Sequence, residues 1–297
     1  MAYYKCAGGR PPQKTTMKRK NCETNWAELV AALGFCEPTI ETFEQVKGCE
    51  LGKLNPNYVA DLEGRKPKMV ESYLKTLKVQ IATHDFPEIE RVVVLGKKQR
   101  IDSEISKLQE GLDRKETKAD VMVKFVTGEW IGVSVKASPK ATMTNYSVEK
   151  ILSDGKELGL VRKQVLKSSG LLTDTMEKER RSEYNACFKV ENKYFQEVDK
   201  SIQSQKKEIL EIWASSMFPK TPFRMYLFNG ESLKRIDGGI DISKISFTKT
   251  TNPAKKPRGA AKMFYSVNVE GVESYRWEIR WKGSTLCSPQ IQTHAVH

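Results

Sequence analysis

The chain has 297 residues, of which 39% are hydrophobic and 29% charged, and this balance excludes an intrinsically disordered protein. Fifty lysines and arginines against 37 aspartates and glutamates give a net charge of +13, which favours a polyanionic partner such as nucleic acid. There is no apolar run near the ~20 residues of a membrane span and no hydrophobic N-terminal signal, so we expect an intracellular protein without a membrane partner, not secreted, and cytoplasmic, or nuclear in a eukaryote or virus.

The positive charge is concentrated in two segments. Residues 1–20 contain six lysines and arginines and no acidic residue, and we expect a basic flexible arm there. Residues 244–262 contain six more. A solubilising tail and a solvated loop are the simpler interpretation of either segment alone, whereas the two together indicate contact with nucleic acid.

Hydrophobic spacing predicts the order of helices and strands. Apolar residues three and four apart make residues 21–88 a helical N-terminal region, with helices at 25–35 and 67–82. Further along the chain the pattern predicts a strand at 89–96, an amphipathic helix at 100–113, a hairpin at 119–137, a helix or helix pair at 146–168, one long helix at 183–218 ended by Pro219, and a strand at 223–228.

The C-terminal part is predicted to be β-rich and to contact DNA. Two alternating runs flank a turn that contains Gly271. In the second run the apolar residues on one side are Tyr275, Trp277, Ile279 and Trp281, and the residues on the other side are mostly cationic. A solvated sheet face is the plain alternative. The candidate DNA-contacting side chains are Lys255, Lys256, Arg258, Lys262, Arg276, Arg280 and Lys282.

The hairpin in "KADVMVKFVTGEWIGVSVKAS" raises a chemical question, because Lys136 lies within an apolar strand. A turn centred on Gly128 predicts that the apolar residues of both strands share one face, with Val121 opposite Val135. The same register places Asp120 directly opposite Lys136 on the other face. A structural cross-strand ion pair, worth ~0.2–1 kcal/mol, is one interpretation of these two residues.

An acid at a strand start, a tight hairpin and a lysine in a [D/E/S]-x-K element resemble the active site of the PD-(D/E)XK nuclease superfamily, which includes many type II restriction endonucleases. The resemblance implies that Asp120 binds Mg²⁺ and that Lys136 positions the attacking water or helps to deprotonate it. A divalent metal polarises the phosphate and lowers the pKa of its bound water, and a neighbouring cation stabilises the developing charge. Carboxylates are suitable ligands for the hard Mg²⁺ ion.

The chain departs from the superfamily pattern at two positions. Ala119 replaces a proline without chemical function, whereas Ser134 replaces the second acid, which is a metal ligand. Some restriction endonucleases with serine there supply the carboxylate from the following helix, which implies Glu149, with Glu157 as the alternative. An acid on the preceding helix is also common, which implies Glu104. The implied catalytic residues are Asp120, Ser134, Lys136, Glu104 and Glu149, and the implied metal ligands are Asp120, Glu149 and Glu104.

The resemblance implies an α/β fold: a restriction-endonuclease-like core at residues 89–230, with a mixed, mostly antiparallel central sheet flanked by helices, and a β-rich part at 231–297. The implied activity is Mg²⁺-dependent, sequence-specific cleavage of double-stranded DNA by a homodimer, because two antiparallel strands need two active sites. A non-catalytic DNA- or RNA-binding protein and a structure-specific DNA nuclease are the alternatives. The six cysteines contain no C-x-x-C pair, which favours reduced thiols over a zinc site built from the first four.

Overall fold

The computed structural model describes residues 25–36, 49–50, 65–95, 103–112, 119–168, 170, 193–251, 262–280 and 288–296. The protein is a mixed α/β protein whose strands form two mostly antiparallel sheets. The chain divides into two units, Met1–Ala141 with Pro219–Gly238, and Thr142–Phe218 with Gly239–His297. The core predicted at 89–230 is therefore shared between the two units, and the basic arm predicted at 1–20 lies outside the described residues.

The helices and strands of the described residues follow one another in this order. The strands are β1 (Cys49–Glu50), β2 (Ile89–Val94), β3 (Val121–Phe125), β4 (Trp130–Val135), β5 (Thr144–Ser147), β6 (Arg224–Phe228), β7 (Leu233–Arg235), β8 (Ile245–Thr250), β9 (Met263–Val269), β10 (Val272–Arg280) and β11 (Gln290–Ala295). The helices are α1 (Asn25–Cys36), α2 (Pro67–Ala82), α3 (Ser103–Leu108), α4 (Val148–Ile151), α5 (Gly155–Ser168), α6 (Lys193–Ser204) and α7 (Lys206–Met217). None of these described helices is long and apolar enough to cross a membrane.

The first unit contains a six-stranded mixed sheet with the order β1-β2-β3-β4-β6-β7. The β1–β2 and β4–β6 pairs are parallel, and the other neighbours are antiparallel. Helices α1 and α2, which confirm the predictions at 25–35 and 67–82, pack on one face of this sheet. Helix α2 begins with Pro67, whose missing N–H is tolerated in the first turn, and buries Val70, Tyr73 and Leu77 at helical spacing.

The β3–β4 hairpin confirms the predicted apolar face and corrects the predicted register. The alternate apolar residues of both strands are buried in the core beneath α1 and α2. Val121 pairs with Val133, and Val123 pairs with Ile131, so each pairing lies two residues from the predicted one, which joined Val121 to Val135. Because strand side chains alternate with a period of two, a shift of two residues leaves every side chain on its predicted face.

The turn explains the corrected register. The Gly128 N–H donates to the Phe125 carbonyl (2.8 Å), and Gly128 has a φ of +83°. Gly128 therefore ends the loop, as in the common three-residue hairpin loop, and does not occupy its centre. With this register Ser134 stands opposite Asp120, so the predicted direct pairing of Asp120 with Lys136 is wrong.

The second unit contains an antiparallel five-stranded sheet with the order β5-β11-β10-β9-β8. One face packs against the helices of this unit through large aromatic side chains, among them Trp213 and Trp277, whose ring centroids are 6.0 Å apart. Trp277 and Ile279 are fully buried and Tyr275 packs against the same core, which confirms the predicted apolar side of β10, whereas Trp281 lies outside the described residues. Glu270 and Gly271, with φ values of 52° and 84°, form the two-residue turn between β9 and β10.

The long helix predicted at 183–218 is interrupted within the described residues, where α6 and α7 meet at Gln205. Gln205 has φ −114° and ψ 33°, outside the helical region. Its side-chain oxygen accepts from the Ser153 N–H (2.8 Å), and its side-chain nitrogen donates to Asp154 (2.9 Å). The break is therefore stabilised by long-range hydrogen bonds, which a hydrophobic pattern does not record.

Candidate functional site

Asp120, Ser134 and Lys136 come together at one end of the β3–β4 hairpin, on the sheet face opposite the one covered by α1 and α2. The Asp120 N–H donates to the Val133 carbonyl (2.8 Å), and the Asp120 carbonyl accepts from the Leu95 N–H (2.9 Å). Its backbone is thus held by the neighbouring strands on both sides. A site built on such rigid elements keeps its side chains in defined positions.

The three side chains form a line of carboxylate, hydroxyl and ammonium. Asp120 Oδ2 accepts from the Val135 N–H at 2.7 Å and from the Ser134 hydroxyl at 3.4 Å. Lys136 Nζ donates to Ser134 Oγ, also at 3.4 Å. Ser134 is 3% exposed, whereas Asp120 and Lys136 are half-buried. At 3.4 Å both hydroxyl contacts are weak, so Ser134 links the two charged groups without holding either one firmly.

The backbone of Lys136 is fixed by two long-range hydrogen bonds. Its N–H donates to the Phe228 carbonyl (2.8 Å), and its carbonyl accepts from the Tyr73 hydroxyl (2.8 Å). The Tyr73 ring contacts Trp26 and Phe228, with ring centroids 5.0 and 4.8 Å away. Burial, followed by the charge of the Asp120 carboxylate, raises the pKa of Tyr73. The phenol therefore keeps its proton and remains a donor to Lys136.

The cluster offers hard oxygen donors for a divalent cation, namely the Asp120 carboxylate and the Ser134 hydroxyl. In proteins Mg²⁺ is bound by one or two carboxylates together with waters and substrate phosphates. With Asp120 this cluster supplies one carboxylate, the smallest number in that range. Within the described ranges, no three His, Cys, Asp or Glu side chains lie close enough to share a metal ion. A cation held here would have Asp120 as its one carboxylate ligand from the cluster, and waters and substrate phosphate oxygens would have to complete its coordination.

The Glu104 carboxylate lies at the other end of the hairpin. It accepts from the Trp130 indole N–H (3.1 Å), pairs with Lys124 Nζ (3.1 Å) and lies 3.6 Å from Arg91. The hydrogen bond from Trp130, followed by that from Lys124, lowers the pKa of Glu104. Lys124 is four residues beyond Asp120 along β3, which is about 13 Å at the rise of a strand. The structure therefore does not bring Glu104 to Asp120.

The Glu149 carboxylate lies in the second unit, on the short helix α4, whereas Asp120 belongs to the first unit. The Glu149 carboxylate oxygens accept hydrogen bonds from Arg162 Nε (2.7 Å) and Nη2 (3.1 Å) and from the Tyr194 hydroxyl (2.8 Å). Burial, followed by the Glu149 charge, raises the pKa of Tyr194, so this phenol also remains a donor. Glu157, the alternative ligand, is exposed in the first turn of α5.

The predicted DNA-contacting residues on the polar face of the second sheet are paired with acids. Arg276 contacts Glu273 at 2.8 Å, and Glu278 contacts both Arg280 and Lys262 at 3.0 Å. These ion pairs offset part of the positive charge that the sequence places on this face. The remaining candidates, Lys255, Lys256, Arg258 and Lys282, lie outside the described residues.

The sequence analysis missed three neighbours of the candidate residues: Tyr73, which contacts Lys136, and Arg162 and Tyr194, which contact Glu149. The helical spacing of α2 assigns Tyr73 to the buried stripe, together with Val70 and Leu77. One signal was present, because the hydroxyl of a buried tyrosine requires a hydrogen-bond partner. The identity of that partner depends on how the chain folds.

Comparisons with protein-family models, with curated proteins and with solved structures found no match to this chain. The functional assignment therefore depends on the geometry of the Asp120–Ser134–Lys136 cluster and on the charge of the protein.

Proposed function

We propose that the protein is a Mg²⁺-dependent endonuclease that hydrolyses double-stranded DNA, with Asp120, Ser134 and Lys136 in its active site. The observation that supports this most is the meeting of a carboxylate, a hydroxyl and an ammonium group at adjoining strand ends whose backbones are fixed. A carboxylate that can hold a divalent cation and a neighbouring ammonium group are both useful in the hydrolysis of an anionic phosphodiester. The net charge of +13 favours the same polyanionic substrate.

In the proposed reaction the Asp120 carboxylate would hold the cation, and the anionic substrate phosphate would be attracted by that cation and by the Lys136 ammonium. When bound, Mg²⁺ supplies a Lewis acid at the phosphate and lowers the pKa of a coordinated water. The Lys136 ammonium stabilises the negative charge that develops during attack. The Val135 N–H holds Asp120 Oδ2 in place (2.7 Å), and the Ser134 hydroxyl lies between this oxygen and Lys136 Nζ, in weak contact with both (3.4 Å).

The finer features of the resemblance belong to the same proposal. The hairpin lies in a mixed sheet with α1 and α2 on one face and α3 on the other, which is compatible with a restriction-endonuclease-like core. A homodimer would supply the second active site needed to cut the second strand of a specific duplex. We assign Glu104 and Glu149 structural roles, because cationic side chains already contact both carboxylates.

The test is incubation of supercoiled plasmid with the full chain, in Mg²⁺ and in EDTA, beside Asp120→Asn and Lys136→Ala. Discrete fragments that require Mg²⁺ are expected, and each variant should lose about 10²–10³-fold in cleavage rate. DNA affinity measured in EDTA should change little, since phosphate contacts elsewhere supply it. Glu110→Gln and Lys140→Ala are matched controls, because both side chains are exposed and lie outside the cluster.

Other outcomes identify the alternatives. Nicking or smearing of the plasmid with the same Mg²⁺ and Asp120 requirements would keep the nuclease but indicate structure-guided or non-specific cleavage. Intact plasmid together with a salt-sensitive gel shift would refute the nuclease and favour a non-catalytic DNA-binding protein. In that protein Asp120 would have a structural role as the acceptor of the Val135 N–H.

A further inference from the structure

A pocket of about 340 Å³ lies entirely within the second unit. Helices α4 and α5 form most of its wall, and Ser288 closes one side. The volume is at the lower end of the roughly 300–1,000 Å³ typical of small-molecule sites, which is larger than a simple inorganic anion requires. The proposed nuclease reaction uses no residue of this pocket.

Two glycines bring α5 close to Glu149 on this side of the unit. A Cβ at Gly155 would lie 2.0 Å from the Glu149 carbonyl oxygen, and one at Gly159 would lie 3.2 Å from Glu149 Oε2. The close approach lets Arg162, on the same helix, reach the Glu149 carboxylate. The one acid among the lining residues is therefore neutralised inside the protein.

The remaining charges of the pocket are all positive. Lys150, Lys156 and Lys163 line it, each exposed, and no ion pair among the described residues of this unit involves them. Lys156, Leu160 and Lys163 follow one another at i, i+4 and i+7, so they form one stripe along α5. Leu160 is 61% exposed and adds an apolar patch between the two lysines. The Ser147 hydroxyl makes no capping hydrogen bond to α4 and adds a polar group to the rim.

We propose that this pocket binds a phosphate ester of nucleotide size. The ammonium groups of Lys150, Lys156 and Lys163 contact the phosphate, and Leu160 contacts the less polar part of the ligand. Lysines are common ligands of phosphate as point charges. The same chemistry is offered by a free nucleotide or strand end and by a nucleotide within a nucleic-acid strand, and the assay below distinguishes these sources.

The experiment measures binding in EDTA with the full chain carrying Asp120→Asn, so that no probe is hydrolysed. The binding result is therefore independent of whether the nuclease proposal holds. The probes are deoxyadenosine 5′-monophosphate, deoxyadenosine, and a fluorescent 12-nucleotide single strand without a terminal phosphate. The pocket variant replaces Lys150, Lys156 and Lys163 by alanine. The matched control replaces Lys167, Lys193 and Lys207, three exposed lysines of the same unit outside the pocket.

We expect the pocket variant to lose about tenfold or more in affinity for a phosphate-bearing probe, and the control less than about threefold. Binding of the monophosphate would show that the ligand is a free nucleotide or a strand end. Binding of the 12-nucleotide strand without binding of the monophosphate would show that the ligand is a nucleotide within a strand. An equal loss of affinity in the pocket variant and in the control variant would show that the probe is attracted only by the overall positive charge, and would overturn the proposal. Absence of binding by either phosphate-bearing probe, or deoxyadenosine binding as tightly as its monophosphate, would also overturn it.

Discussion

Replacing Glu149 by alanine is expected to destabilise the second unit, because it would leave a buried guanidinium without its carboxylate. The Arg162 side chain is 8% exposed and that of Glu149 is 13% exposed. Two hydrogen bonds join them, and Tyr194 donates a third to the same carboxylate. Removing one partner of such a buried pair costs about 3–5 kcal/mol in the free energy of unfolding. For a unit of this size the melting temperature should fall by roughly 10 °C or more.

Calorimetry and urea unfolding of the full chain measure this effect, and Mg²⁺-dependent plasmid cleavage is followed in parallel at a temperature where the variant is folded. Glu149→Gln keeps an acceptor for Tyr194 and should lose less stability than Glu149→Ala. The double variant Glu149→Leu/Arg162→Met removes both charges and should recover part of the loss. Glu157→Ala is the matched control, since this exposed acid should change stability by no more than about 0.5 kcal/mol.

The result that refutes this reasoning is a Glu149→Ala protein that unfolds at the wild-type temperature and has lost cleavage. Glu149 would then be the metal ligand that the superfamily resemblance implies, and its bonds to Arg162 and Tyr194 would have little energetic weight. A large loss of stability together with normal cleavage by the folded variant would instead establish a structural role.

Tyr73→Phe removes the hydroxyl that donates to the Lys136 carbonyl, so the free energy of unfolding should fall by about 0.5–1.5 kcal/mol. Mg²⁺-dependent cleavage should become several-fold slower while the affinity for DNA stays unchanged. An unchanged cleavage rate would mean that Lys136 keeps its position without Tyr73. Burial raises the pKa of Tyr73, Tyr194 and Tyr265. Their contribution to stability is therefore complete below the ordinary tyrosine pKa of about 10 and lost as the pH rises above it, at up to about 1.4 kcal/mol per pH unit for each tyrosine. Calorimetry above about pH 10 should show that the stability of Tyr265→Phe declines less steeply with pH than that of the wild type. An equally steep decline would contradict the raised pKa of Tyr265.

Local periodicity was sufficient to predict most elements of the fold. The apolar spacing of residues 67–82 matches α2 at both ends, and the alternation in β10 assigned Trp277 to the core. The same alternation put Asp120, Ser134 and Lys136 on one face of the hairpin, where the structure has them. These features follow from sequence because side-chain direction in a helix or strand depends only on the local repeat.

Contacts between distant residues were not predictable in this way. The acid at Glu149 matched a pattern for a metal ligand, and only the fold shows that Arg162 and Tyr194 contact it. The interruption at Gln205 depends on Ser153 and on other groups far along the chain.

The sequence by itself determined the faces of the hairpin, while the tertiary structure decided its pairing and its surroundings. A turn whose glycine has φ +83° at the end of the loop moves the register by two residues and puts Ser134 between Asp120 and Lys136. The Tyr73 hydroxyl, 63 positions from Lys136, fixes the lysine backbone. The physical reason is that a repeat specifies the direction of a side chain, whereas its hydrogen-bond partner depends on which distant segments pack together.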